Sequence, residues 1–161
     1  ATPLGADTTT CPAGDAIPGK LRARKNLTKI MAAHNIPYAA QASPSHWMDL
    51  MKKVQKAHSY TGPKFLNILA PCNRGWRSKT NDAITLSKLA VSTCYWPLYE
   101  IENGVTRITS RPKEKLPLVE FLKPQGRFKH MFDPKNEWLL KAAQEGVDLE
   151  WEKLQKEEKC G

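Results

Sequence analysis

The chain has 161 residues, of which 40% are hydrophobic and 25% charged, and its formal net charge is +9. This is the composition of one ordinary globular domain able to bury a core. No apolar run approaches the ~18 residues of a membrane span, and no secretory signal pattern is found, so neither a membrane nor an export role is expected.

In chain order, residues 1–25 hold Gly5, Pro12, Gly14, Pro18 and Gly19 among Thr and Ala, a loop composition with little to pack. Lys20, Arg22, Arg24, Lys25 and Lys29 follow within ten residues. The plain reading is a solvated basic loop, and the sharper one an anionic partner, phosphate-bearing or an acidic protein. Nucleic acid is not expected, since zinc-finger spacing and the aromatic-basic signature of an RNA-binding sheet are both missing. Asn26 can cap a short helix with Leu27, Ile30 and Met31 at i, i+3, i+4 spacing, ended by Asn35-Ile36-Pro37. "YAAQAS" reads as a strand. Ser43-Pro44 then opens the clearest helix, 44–58, with Trp47, Leu50, Met51 and Val54 on one stripe and Lys52, Lys53 and Lys56 elsewhere. Gly62-Pro63 breaks it, and "KFLNILA" has the continuous apolar character of a strand buried on both faces. Helix, strand, helix, strand predicts a parallel α/β sheet. A further helix runs from about Asp82 to Ser92. Two β-rich runs flank Asn103-Gly104, a hairpin signal, and Pro97 makes the first run begin irregularly or lie at an edge. "LPLVEFLKPQGRFKHMF" gives a short helix, a break and a basic-aromatic segment. Asp133 is the expected cap of a long helix from Pro134, with Trp138, Leu139, Ala142, Leu149 and Leu154 apolar and Gly146 a possible interruption.

The chemistry-bearing motifs are few. The chain has no Gly-rich phosphate loop, no G-x-G-x-x-G and no nucleophile elbow. His34, His46, His58 and His130 are scattered, and nothing pairs Glu100, Glu102 or Glu120 as acid and base. Cys11, Cys72, Cys94 and Cys160 are widely spread with no Cys-x-x-Cys pair, so the expectation is reduced cysteines in a cytoplasmic protein. Cys72 stands out by position, just after "KFLNILA", where open α/β sheets bind ligands. Free cysteines are commonly buried and inert. Against that, Pro71 removes a backbone donor, the Asn73–Gly75 turn exposes N–H groups, and Arg74 and Arg77 add positive charge. Such donors stabilise a thiolate or an anionic iron–sulfur cluster. One cysteine cannot hold a cluster, so it would complete a set supplied from elsewhere.

The segments "ATPLGADTTTCPAG", "IMAAHNIPYAAQASPS", "LAPCNRGWR", "CYWPLYEIENG" and "VEFLKPQGRFKHMF" occur in that order. Together they resemble the C-terminal half of the thiamine-diphosphate-binding β subunit of pyruvate:ferredoxin oxidoreductase. The resemblance covers residues 1–132 and leaves 133–161 as a helical tail. It implies an α/β fold, the C-terminal part of a thiamine-diphosphate domain with a mostly parallel sheet, plus a β-hairpin and a C-terminal helical extension. It makes Cys72 the fourth ligand of a [4Fe–4S] cluster whose other three cysteines lie upstream. Cys11 falls where related sequences often have Ser, and Cys94 and Cys160 match no ligand. Thr2, Pro3 and Gly5 are expected near thiamine diphosphate, with a structural loop as the equal alternative. The family's Gly-Asp-Gly and Asn-Thr-Gly segments for diphosphate and Mg2+ would precede Ala1. The implied partners are the N-terminal half of the subunit, α-, γ- and δ-type subunits, ferredoxin and coenzyme A. The implied reaction is oxidative decarboxylation of a 2-oxoacid, pyruvate first, with a branched-chain oxoacid or oxalate as alternatives and with no activity from this chain alone. A non-catalytic scaffolding fragment is the competing reading.

Overall fold

The computed structural model describes residues 2–160; Ala1 and Gly161 lie outside the described residues. Among the described residues there are six α-helices and four strands, in the order α1 Leu27–Ala32, β1 Tyr38–Ala42, α2 Trp47–Ser59, β2 Lys64–Ile68, α3 Asn73–Trp76, α4 Ala83–Ser92, β3 Leu98–Glu102, β4 Val105–Ser110, α5 Leu118–Leu122 and α6 Glu137–Cys160. The strands form one sheet in the order β2-β1-β3-β4. β1 and β2 are parallel and joined through α2, as expected, while β1–β3 and β3–β4 are antiparallel. The sheet of this chain is therefore mixed, and it carries the β-hairpin and the C-terminal helical extension that were expected. The β3–β4 turn is a two-residue loop with Asn103 at φ 48° and Gly104 at φ 86°, the pair of positive angles that a type I′ turn requires. β3 follows Pro97 directly and shifts register between Leu98 and Tyr99, so it begins irregularly and is central, not an edge.

The period of two along the strands divides the sheet into two faces. Tyr38 and Ala40 lie opposite Glu102 and Glu100 on the face carrying α2, where Tyr38 and Ala40 pack with Ala57. Ala39 and Gln41 lie opposite Ile101 and Tyr99 on the other face. There Thr28 of α1 bonds Gln41, and Trp151 and Leu154 of α6 pack on Tyr99 and Ile101. The largest core joins α4, α5 and the first half of α6 to Trp96, Leu98, Phe128 and Met131.

Several expectations change. Part of the N-terminal loop packs: Ala6 is fully buried in that core, and Gly5 holds φ 76° against the Met131 thioether. The apolar stripe of α2 faces outward, with Trp47 64% and Met51 51% exposed, while Lys53 is buried at 1%. Lys53 can be inside because its Nζ donates to the Gln41 carbonyl at 2.8 Å and to Asp49 Oδ2 at 2.6 Å. β2 is an edge strand and only half-buried, because nothing among the described residues pairs its outer side. α6 runs unbroken through Gly146, and its charged tail docks: Glu157 pairs with Lys29 at 2.6 Å and Glu158 with Arg111. Within α6, Leu139, Ala143, Trp151 and Leu154 are buried, whereas Trp138 and Leu149 are exposed. Among the described residues no helix is long and apolar enough to cross a membrane.

Candidate functional site

β2 ends at Ile68, and the next four residues turn the chain into α3. Leu69 N–H still bonds the Ala42 carbonyl at 3.0 Å, so Ala70-Pro71-Cys72 leaves the sheet at the carboxyl end of its parallel pair. Cys72 is the N-cap of α3, with extended backbone. Its Sγ accepts the Gly75 N–H at 3.3 Å and its carbonyl accepts the Trp76 N–H at 2.8 Å. A thiol usually makes a poor cap, since sulfur is a weak acceptor. Here it is exposed and held by a directed N–H. Gly75 leaves this side open: a Cβ there would stand 3.5 Å from Sγ.

The loop is fixed from behind. Trp76 is buried edge-on against Phe121, with ring centroids 5.9 Å apart. Arg77 holds φ 51° and accepts the Gly126 N–H at 3.1 Å. Gly126 must be glycine, since a Cβ would meet Arg77 Cβ at 2.8 Å. Arg77 Nη1 reaches Asp7 Oδ2 at 2.6 Å, tying the Cys72 loop to the N-terminal segment. Burial pushes the Asp7 carboxyl up, but the Ala13 N–H and Arg77 outweigh it and hold the group below its ordinary value.

The expected site residues come only partly together. Thr2 and Pro3 line a cavity of about 330 Å³ together with Asn67–Ala70 and Trp76, so they meet the strand end and the inner side of α3. Gly5 does not line it and serves the loop conformation, with its N–H on the Lys20 carbonyl at 2.7 Å. Cys72 turns its sulfur to the outside. Cys94 is buried at the left-handed end of α4, and burial pushes its thiol up to about 11. Among the described residues no group of three His, Cys, Asp or Glu side chains could hold a metal ion. The residues therefore fit one ligand of a shared cluster and neither a whole cluster nor a Mg2+ site. The sequence reading missed that Arg24 and Arg127, about a hundred residues apart, line the same cavity; the only linear signals were the basic run at 20–29 and the basic-aromatic segment around Phe128.

No family model matches the chain. Over 154 residues it is 48% identical to pyruvate synthase subunit PorB of Thermotoga maritima, covering 95% of this chain and 48% of that protein. It is 48% identical over 148 residues to the PorB subunit of Methanocaldococcus jannaschii, covering 92% and 50%. It is 44% identical over 157 residues to ketoisovalerate oxidoreductase subunit VorB of Pyrococcus horikoshii, covering 96% and 49%. The chain spans about half the length of the curated relatives it matches.

Proposed function

Since this chain belongs to the family of the PorB and VorB subunits, the β subunits of 2-oxoacid:ferredoxin oxidoreductases, and spans about half their length, we propose that it is the C-terminal half of such a subunit. In this reading it works in an assembly that decarboxylates a 2-oxoacid oxidatively and passes the electrons to ferredoxin. Pyruvate is the favoured acid, because both matches at 48% carry that name, with a branched-chain oxoacid second.

The observation that carries the reading is the exposed Cys72 sulfur with the Gly75 N–H directed at it. Thiamine diphosphate and a [4Fe–4S] cluster, when bound, would supply the electron sink and single-electron transfer. The chain's own part is to present one thiolate, donate an N–H to its sulfur and hold both rigidly. Hydrogen bonds to ligand sulfur raise a cluster's potential. The Asp7–Arg77 pair fixes the distance between the Cys72 loop and the segment bearing Thr2 and Pro3, which in this reading stands beside thiamine diphosphate. Gly5 supports that segment from behind. The remaining cluster cysteines, the Mg2+ ligands, the α-, γ- and δ-type subunits and the coenzyme A site would come from the rest of the assembly.

The test is Cys72→Ser in the assembled enzyme. The [4Fe–4S] signal in electron paramagnetic resonance should fall with the iron content, and 2-oxoacid-dependent ferredoxin reduction should drop roughly tenfold or more. An unchanged signal with full iron would sink the ligand assignment. An assembly that reduces neither ferredoxin nor a viologen dye with any 2-oxoacid would leave the scaffolding reading standing.

A further inference from the structure

Most buried charge in this molecule is matched. Lys53 has Asp49, and Lys56 has both Glu100 and Glu102. Two arginines break the pattern. Arg127 is 94% buried by its 6% exposure, and its Nε donates to Gln125 Oε1 at 3.0 Å. Arg24 reaches only the Tyr95 carbonyl, at 3.5 Å, and its Nη1 is buried with no hydrogen-bond partner. Neither forms an ion pair among the described residues. Aromatic faces hold them instead. The Arg24 guanidinium carbon lies 4.7 Å from the Trp96 ring centre, and that of Arg127 lies 4.6 Å from the Trp76 ring centre.

Both arginines and both indoles line the cavity of about 330 Å³ at the end of β2, and no acidic residue lines it. Ring faces recover part of the cost of burying a guanidinium, but they leave its N–H donors free. Burial pushes Arg127 down to about 10, a cost that an adjacent anion reverses. We propose that this cavity is a binding site for a phosphate-class anion, held by the guanidinium groups of Arg24 and Arg127 with the Thr2 segment as its near wall. Two cations with planar donor forks suit the several oxygens and double charge of a phosphate. The space is that of a small-molecule pocket, larger than a single side-chain carboxylate fills. The site stands on these two arginines and needs neither Cys72 nor iron, so its failure and that of the cluster reading are separable.

The probe is sodium pyrophosphate, titrated into the full chain at constant ionic strength, without thiamine or iron. Indole fluorescence of Trp76 and Trp96 and calorimetric heat are the readouts. Saturable binding is expected, weakened at least tenfold by Arg24→Gln and partly retained by Arg127→Lys. Arg22→Gln, which removes the same charge from an exposed neighbour, should leave it unchanged. Absence of saturable binding to the unmodified chain would overturn the proposal, whatever the variants do. So would equal weakening by Arg22→Gln, which would mark general charge attraction, and so would acetate saturating the cavity as readily as pyrophosphate, which would mark a carboxylate pocket.

Discussion

Lys56 stands between two carboxylates on the α2 face of the sheet, with Nζ 2.7 Å from Glu100 and 2.6 Å from Glu102. Glu102 also accepts from the Tyr60 hydroxyl. The Lys56 hydrogen bond first, and the Tyr60 hydroxyl second, hold the Glu102 carboxyl below its ordinary value. A depressed folded value means that the unfolded chain takes up the proton first as pH falls. The stability from this group is therefore complete above about pH 4.3, the ordinary glutamate value, and is lost as pH falls through the folded value. Lys56→Met removes the main cause, so between pH 5 and about 3 the variant should lose less stability than the unmodified chain. Urea unfolding across that range checks this, and parallel curves would contradict it.

At the scale of elements, α6 carries a weakness at its middle. Gly146 sits in an unbroken helix, lines an apolar cavity of about 130 Å³ beside Leu118, Leu122 and Val147, and has nothing within 4 Å of where a Cβ would stand. Gly146→Ala should stabilise the chain by about 1 kcal/mol through helix propensity, measured as a shifted urea midpoint with unchanged slope. A loss of stability would mean that the cavity cannot take a methyl group. The helix itself was legible from its apolar spacing, as were the Asn26 cap, the β1-α2-β2 unit and the Asn103-Gly104 hairpin, because each is set by local chemistry. The faces were less legible. Trp47, Met51 and Val54 have core spacing yet lie outside, and Lys53 lies inside, because its place depends on Asp49 and the Gln41 carbonyl across the fold. At the candidate site, the position of Cys72 after a strand was legible, and its role as a ligand is a proposal. The meeting of Arg24 with Arg127 was not legible, since only the folded chain brings them to one cavity.

For the whole molecule, two misfits of sequence and exposure fall in the β1-α2-β2 unit. "KFLNILA" has the composition of an interior strand and forms an edge, and Trp47, Met51 and Val54 of the apolar stripe of α2 are exposed. Both make sense for a chain spanning about half of its relatives' length. Leu69 N–H points to β1, so by alternation the Leu66 and Ile68 amides point away from it. In the assembled complex these two amides should exchange with solvent roughly tenfold or more slowly than in the chain alone, while β1 amides change little. Equal rates in both states would show that the edge stays open. The same edge bears on the behaviour of the chain by itself. An unpaired, apolar strand templates pairing with any other strand, and Lys64 guards it only at its start. An exposed apolar edge of this kind favours self-association through β2 as the concentration of the chain rises.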